Sequence, residues 1–247
     1  MLMGILLATT LGVDSWDQVH EMWSGSLRRP VSLHRSLRID DEEARDSATS
    51  IHVFIRDYEL DEIELELDGM NADVETSLDR QALGIQIRGG TAEMSGYVAL
   101  FKERLQFDDF TRQEADAYGV EVGGGGSYRL GTSSDGGPVP VLDYELSASL
   151  RYGDGDQLID YLWFAEATAQ IGAGVEIRSF QATAGVVAST IVGDFDIDPG
   201  NGDVIEGSNL GGYLRLAYVG REAPVLVRVQ AMFGDIHGAI FSFGLRF

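Results

Sequence analysis

The chain ends in the stretch Phe241-Ser242-Phe243-Gly244-Leu245-Arg246-Phe247. Every second residue is large and apolar, so a β-strand would place Phe241, Phe243, Leu245 and Phe247 on one face. In a water-soluble protein, such an apolar strand promotes aggregation unless another element covers it. In a strand that faces lipid, the same residues match their surroundings. The segment therefore predicts a terminal β-strand whose apolar face contacts lipid.

Alternation with a period of two continues upstream to about residue 51, and helical periodicity does not return. In residues 224–234, for example, Val225, Val227 and Val229 alternate with Leu226, Arg228 and Gln230. Counting backward from the terminal strand predicts ten strands, with eight as the alternative. The other nine lie near 224–234, 209–219, 180–193, 160–178, 140–153, 115–131, 95–106, 82–89 and 60–67.

The terminal strand resembles that of bacterial outer-membrane β-barrels, whose last residue is typically Phe. The resemblance implies an all-β fold, a transmembrane antiparallel up-and-down β-barrel in the bacterial outer membrane that spans residues 51–247. It also implies that the barrel-assembly machinery reads a signal made of Phe241, Phe243, Leu245 and Phe247. Outer-membrane lipid and lipopolysaccharide would be the other partners, and we expect a monomer.

Aromatic residues mark both ends of the predicted apolar faces. Tyr118 and Tyr128 are ten residues apart and share one face of their strand. With a rise of about 3.3 Å per residue and a tilt near 40°, they span roughly 25 Å, the height of a lipid-facing band. Tyr144 and Tyr152 form a similar, shorter pair. These residues indicate two aromatic girdles.

The amino-terminal region differs from the rest of the chain. Residues 1–13 (MLMGILLATTLGV) resemble the apolar part of a secretory signal peptide, although no basic residues precede it. A short buried helix is the alternative for this segment. Residues 14–50 are polar and charged, and we interpret them as a periplasmic extension.

Composition excludes several classes of function. The 247 residues carry a formal net charge of -22, which argues against nucleic-acid binding because that requires a basic surface. Cysteine is absent, so disulfide frameworks, thiolate metal sites and cysteine nucleophiles are excluded. The excess of acidic residues indicates water-exposed loops.

The predicted inward face carries charges of both signs, which must be paired or solvated if they are buried. They form either the lining of a narrow pore or a plug of salt bridges, and we favour the plug. Glu103, in contrast, falls on the predicted lipid-facing side of its strand. The predicted lumen-lining residues are Lys102, Arg104, Glu121, Glu145, Arg151, Glu166, Arg215 and Arg228.

One acidic segment resembles part of a calcium-binding loop, since carboxylates recur at alternate positions and Gly follows. It departs from that pattern at Pro199, where Gly is expected, and at Ile205, where Glu is expected. A solvated acidic loop is the alternative, and we expect no other cofactor. The candidate Ca²⁺ ligands are Asp194, Asp196, Asp198 and Asp203.

These patterns favour a non-enzymatic barrel with a structural or surface-interaction role, or a narrow passive pore. One alternative is a hydrolase with its site at the outer rim, similar to omptin proteases, using His237 and Asp235. Another is a soluble acidic β-barrel that binds a small apolar ligand. This second alternative predicts that Phe241, Phe243, Val225 and Val227 are buried.

Overall fold

The computed structural model describes residues 48–67, 72–107, 113–131, 137–155, 159–197, 203–219 and 224–247. These residues form ten antiparallel strands, in which each strand pairs with its neighbours in sequence and the last pairs with the first. This closed up-and-down barrel confirms the predicted fold and strand number. The strands are β1 (Ala48–Leu67), β2 (Ala72–Gly90), β3 (Ser95–Phe107), β4 (Gln113–Arg129), β5 (Val139–Gly155), β6 (Ile159–Ile177), β7 (Phe180–Ile197), β8 (Asp203–Val219), β9 (Val225–Gly234) and β10 (Ile236–Arg246).

Several strands are longer than the alternation predicts. β1 begins at Ala48 rather than near residue 60, and β2 begins at Ala72 rather than near residue 82. The acidic connection predicted between β7 and β8 is also mostly strand, because only residues 198–202 separate the two elements. The predicted signal segment, residues 1–13, and residues 14–47 of the predicted extension lie outside the described residues.

The outer face of the barrel is apolar over a continuous band. Leu83, Ile85 and Ile87 of β2 are 55–59% exposed, and Phe241 and Phe243 of β10 are 45% and 43% exposed. The soluble-barrel alternative is therefore wrong, because it requires the two phenylalanines to be buried. A closed barrel with an apolar exterior pairs its backbone groups between strands and presents a surface suited to lipid. In the described part of the chain, no helix is long and apolar enough to cross a membrane.

Aromatic side chains border this band at both ends. Tyr118, Tyr152 and Trp163 are opposite one another on three neighbouring strands, and all three are exposed. At the other end of the same strands, the rings of Tyr128 and Tyr144 stack with centroids 5.9 Å apart. Two rows of aromatic residues are expected where a barrel passes through the two lipid–water interfaces.

The polarity of the two faces changes along each strand beyond the band. On the outer face of β1, the apolar residues Ile51, Val53 and Ile55 give way to the acidic residues Asp57 and Glu59. The inner face changes in the opposite sense and becomes an apolar core. This core includes Leu60, Ile63, Leu65, Leu78, Leu105, Phe107, Leu162, Phe164, Ile191, Phe195 and Ile205. The strands therefore continue past the lipid band as a water-exposed barrel with a conventional apolar interior.

At the end of the barrel that holds this apolar core, the wall narrows from ten strands to eight. The short β9–β10 hairpin turns at Asp235, and β1 then pairs directly with β8, with Leu65 opposite Ile205. We call the segments of β1 to β8 at this end of the barrel the collar. The register of β1 shifts between Leu60 and Ile63, at the point where its partner changes from β10 to β8.

Two residues of β8 allow β1 to change partners. The Glu62 N–H donates to Asn209 Oδ1 at 3.0 Å, and Asn209 Nδ2 donates to the Glu62 carbonyl at 3.1 Å. A Cβ atom on Gly207 would lie 2.5 Å from the Glu62 carbonyl oxygen, so this close approach requires glycine. The side chain of Asn209 thus supplies the hydrogen bonds that the irregular backbone of β1 lacks.

Candidate functional site

The centre of the lumen holds a ring of four charged side chains, which we call the central cluster: Arg80, Arg151, Glu103 and Glu166. Arg80 donates to Glu103 at 3.0 Å and to Glu166 at 3.1 Å. Arg151 donates to the same two carboxylates at 2.6 and 2.7 Å. All four side chains are at most 5% exposed. Each acid therefore contacts both arginines, and the four charges balance.

Neighbouring groups add further contacts to the central cluster. Ser189 donates to Glu166 at 2.7 Å, and Arg151 donates to Ser149 at 2.7 Å. The guanidinium of Arg151 lies 4.9 Å from the ring centroid of Phe164. Buried ions are tolerated when their hydrogen bonds are satisfied and an aromatic face covers the cation. This arrangement fixes the cluster to five strands of the wall.

A second charged group, the lower cluster, lies closer to the end of the barrel that carries the carboxy-terminus. Glu145 accepts from Arg88 at 2.8 Å and from Arg228 at 3.0 Å. Arg215 pairs with Asp143 and also donates to Gln170 at 2.5 Å. Arginines outnumber carboxylates here, and side-chain amide oxygens accept hydrogen bonds from arginine N–H groups that no carboxylate binds.

Between the two clusters, Arg56 donates to both oxygens of Glu121, at 2.5 and 2.9 Å. Tyr97 adds a third hydrogen bond to this carboxylate at 2.8 Å. A cavity of about 80 Å³ remains among these groups and is lined by Arg56, Glu121, Arg215 and polar neighbours.

The described residues therefore occupy most of the lumen, apart from this cavity. The apolar core closes its outer part, the central cluster crosses its middle, and the lower cluster occupies the opposite part. Within this described region, the geometry matches a plug of paired charges rather than a water-filled channel.

The structure brings six of the eight predicted lumen residues to the inner face, where they join the two clusters or the Arg56 pair. These are Glu121, Glu145, Arg151, Glu166, Arg215 and Arg228. The prediction that Lys102 and Arg104 line the lumen is wrong, because their side chains lie on the outer face and are 50% and 61% exposed. The Lys102 ammonium contacts Asp116 at 2.6 Å and lies 5.8 Å from the ring centroid of Tyr118. It thus lies beside the aromatic row, where a long cationic side chain reaches lipid headgroups.

Sequence reasoning missed five charged lumen residues, Arg56, Arg80, Arg88, Glu103 and Asp143. Arg56 and Arg80 occupy stretches for which the alternation predicted no strand. Glu103 was assigned to the lipid-facing side because Lys102 and Arg104 were assigned inward, whereas it is 1% exposed inside the barrel. The clue was available in β1, where Arg56 alternates with Ile55 and Asp57, but polar residues on both faces obscured the pattern.

The calcium prediction is only partly covered by the described residues. Asp194 and Asp196 belong to β7 and Asp203 begins β8, so these three lie in paired strands rather than in a loop. One carboxylate oxygen of Asp194 is buried without a hydrogen-bond partner among the described atoms. Asp198 and the side chains of Asp196 and Asp203 lie outside the described residues.

His237 lies on the outer wall beside the β9–β10 turn, but its contacts differ from the predicted pair with Asp235. Its ring nitrogens lie 3.0 Å from Glu59 and 3.4 Å from Asp61. The Asp235 carboxylate instead accepts from the Leu210 N–H at 3.3 Å. Ser242 is 7% exposed on the inner face, so it is on the opposite side of the wall from His237.

Comparisons with known proteins gave matches among solved structures alone. No protein-family model matches it. No curated protein matches its sequence. Solved structures similar to it are bacterial proteins, each at low sequence identity.

One is the translocator domain of the autotransporter NalP from Neisseria meningitidis, with 11% identity over 94% of this chain and 97% of that chain and a TM-score of 0.41. Another is the transport unit of the autotransporter AIDA-I from Escherichia coli, with 12% identity, 87% and 94% coverage and a TM-score of 0.39. A third is an outer membrane channel from Pseudomonas putida F1, with 8% identity, 86% and 100% coverage and a TM-score of 0.39.

Proposed function

We propose that this protein is a bacterial outer-membrane β-barrel with a sealed lumen, which has a structural or surface-interaction role and no enzymatic one. The observation that carries the proposal is the central cluster. Its four side chains are paired with one another, are at most 5% exposed and lie beneath an apolar core. A diffusion pore requires a continuous aqueous path, which neither feature supplies.

The pairing of the charges argues further against conduction. A pore lining attracts ions with charges that face water and are free to exchange partners. Here Glu103 accepts from both arginines of the central cluster, and Glu166 does the same. Opening this ring would leave buried ions without partners, which costs several kcal/mol per ion. The cluster is better suited to holding five strands together than to passing solutes.

The collar supports a role at the cell surface. Its outer wall is acidic, with Asp61, Glu62, Glu64, Glu75 and Glu206 facing away from the apolar core. The predicted periplasmic extension precedes β1, which begins at Ala48 at the end opposite the collar. The two-residue turn Arg178–Ser179 joins β6 and β7 at the end opposite the collar. We infer that the collar projects from the outer leaflet and presents an acidic, rigid β-surface to its surroundings.

The exposed apolar side chains of β10 fit the partners that the resemblance implies. Phe241, Phe243, Leu245 and Phe247 face outward and are accessible to the barrel-assembly machinery before insertion. Lys102 and Arg104 lie on the outer wall, close to the aromatic row, in a position to contact lipopolysaccharide phosphates.

The absence of cysteine allows a direct test of location and orientation. Glu206→Cys places a thiol on the collar, and Arg178→Cys places one on the turn at the opposite end. Both variants would be expressed in a Gram-negative host and exposed to a membrane-impermeant maleimide. The proposal predicts that intact cells label Glu206→Cys and that Arg178→Cys reacts only after the outer membrane is permeabilised. Labelling of Arg178→Cys alone in intact cells would overturn the orientation, and a soluble cell fraction containing the protein would overturn the location.

A further inference from the structure

Three potential metal ligands meet across the seam that closes the barrel. Glu59 of β1 is directly opposite His237 of β10, and Asp61 follows two residues later on β1. His237 Nε2 lies 3.0 Å from Glu59 Oε2, and His237 Nδ1 lies 3.4 Å from Asp61 Oδ1. One ligand atom from each residue lies within 4.8 Å of the other two. Among the described residues, this is the one such group of three or more histidine and acidic side chains.

We propose that Glu59, Asp61 and His237 form a binding site for a divalent transition-metal ion of the Zn²⁺ class, which links the first strand of the barrel to the last. This proposal is independent of the proposed function, because it concerns the closing seam and not the lumen.

The spacing of the ligand atoms suits such an ion. Zn²⁺ binds imidazole nitrogen and carboxylate oxygen at about 2.0–2.2 Å, so bound ligand atoms lie roughly 3–4 Å from one another. One ligand atom from each residue lies within 4.8 Å of the other two, so with a single ring nitrogen of His237 as the ligand the side chains must move closer together to reach these separations. All three side chains are partly exposed, by 29–47%, so they can rotate by the small amount that binding requires. Water molecules would fill the remaining coordination positions.

The chemistry of the three side chains selects the class of metal. An imidazole nitrogen favours Zn²⁺, Cu²⁺ or Ni²⁺, whereas Ca²⁺ and Mg²⁺ prefer sites made entirely of oxygen. Glu59 and Asp61 also bring two negative charges to one histidine. A divalent cation neutralises both carboxylates, which a neutral imidazole between them does not.

The backbone holds the ligands in place before any metal arrives. The Asp61 N–H donates to the Asp235 carbonyl at 2.9 Å, which ties the end of β1 to the turn that precedes His237. Gly238 has a φ of +143°, and a Cβ atom there would lie 2.5 Å from Tyr58 Cα. This close approach, which only glycine permits, brings β10 against β1 beside His237.

Metal binding at this position would stabilise the folded barrel. The ligands come from the two ends of the barrel sequence, so an unfolded chain does not keep them together. For one site, a free metal concentration 100 times the dissociation constant raises the folded-to-unfolded ratio about 100-fold. The seam between β1 and β10 then opens less readily on heating.

The test uses the full-length protein refolded in detergent, with Zn²⁺ alone as the probe. The readout is the temperature at which the compact, heat-modifiable form is lost on a denaturing gel, in Zn²⁺ and in EDTA. Equilibrium dialysis measures the number of Zn²⁺ ions bound in parallel. The test variants are His237→Gln and Glu59→Gln. Asp57→Asn is the matched control, since Asp57 is an exposed acid one step away on the same face of β1.

His20 and His34 could bind Zn²⁺ elsewhere, so a His20→Gln/His34→Gln double variant serves as a second control. The proposal predicts that Zn²⁺ raises the transition temperature of the wild type, Asp57→Asn and the double variant alike. His237→Gln and Glu59→Gln should lose that rise and bind at least tenfold more weakly at one site. An unchanged wild-type transition in Zn²⁺, or an equal rise in His237→Gln, would overturn the proposal. If one of the two test variants does not refold, equilibrium dialysis and the gel assay of the other variant test the proposal.

Discussion

Lys102 and Glu103 are neighbours in β3, and their side chains lie on opposite sides of the barrel wall. Glu103 is 1% exposed and bridges Arg80 and Arg151, at 3.0 and 2.6 Å. Lys102 is half exposed and contacts Asp116 beside Tyr118. Two charges of opposite sign at adjacent positions thus have different environments, one a sealed interior and the other the lipid–water interface.

This pair marks the level at which the barrel leaves the lipid band. Val98 and Leu100 face outward below it, whereas Lys102 and Arg104 face outward above it. The inner face changes from Glu103 to the apolar core at Leu105. The outer face changes from apolar to charged because its surroundings change from lipid to water, whereas on the inner face Glu103 lies between the buried apolar side chains of Phe101 and Leu105.

The central cluster predicts a large loss of stability when one acid is neutralised. Glu103→Gln leaves Arg80 and Arg151 buried with one charge fewer between them. Removing one partner of a buried ion pair costs about 3–5 kcal/mol. Urea titration of the barrel in detergent, followed by tryptophan fluorescence, should show a correspondingly lower midpoint.

Lys102→Gln is the matched control for this variant, because it removes a charge from the adjacent residue on the exposed face. Its midpoint should equal that of the wild type. Equal midpoints for Glu103→Gln and Lys102→Gln would contradict the role assigned to the central cluster.

The side chain of Asn209 predicts a local effect at the transition from ten strands to eight. Asn209→Ala removes both hydrogen bonds to the buried backbone of Glu62. An unsatisfied buried polar group costs about 1–3 kcal/mol, so the collar should open more readily than the rest of the barrel. Hydrogen exchange should accelerate at Ile63 and Leu65 in this variant. The neighbouring change Ser208→Ala, on the exposed face, should leave those amides protected; faster exchange in both would show that Asn209 has no special role.

The lipid band predicts that the same substitution has different effects along one strand. Leu214 and Glu206 share the outer face of β8, inside the band and on the collar respectively. Leu214→Arg should lower the stability of the barrel in lipid vesicles by about 2–4 kcal/mol if the site lies near the bilayer midplane. Glu206→Arg should change it little, because this position faces water. Equal costs at the two positions, measured by urea titration in vesicles, would place both in the same environment.

Much of the fold could be predicted from the sequence because lipid imposes a simple rule. Within the lipid band of β4 to β10, apolar side chains alternate with inward-facing Gly or polar groups, so alternation located these strands to within six residues at either end. The apolar residues of the terminal stretch 241–247 and the aromatic pair Tyr118 and Tyr128 indicated the membrane environment, and the structure places these side chains outward.

The missed parts of β1 and β2 share one physical cause, which is the change of polarity on the strand faces beyond the lipid band. In β1 the outer face carries Ile55 and then Asp57, while the inner face carries Arg56 and then Leu60. A rule that assigns apolar residues to one face throughout therefore loses the strand at this level. The ion pairs of the central cluster join β2, β3, β5 and β6 and depend on strand register, which alternation does not determine.

The pairing of β1 with β8 was also beyond the sequence pattern, since it depends on the shortness of the β9–β10 hairpin. The hairpin length and the hydrogen bonds of Asn209 together create a wall of ten strands in the lipid band and eight in the collar.

Electrical conductance tests the central claim most directly, namely that paired charges and an apolar core seal the lumen. The refolded full-length protein would be inserted into a planar bilayer, with insertion verified by protease protection in vesicles of the same lipid. The sealed lumen predicts a baseline current without discrete steps from the inserted wild type, because the apolar core and the paired charges both block the path. Reproducible single-channel steps from the inserted wild type would contradict the account.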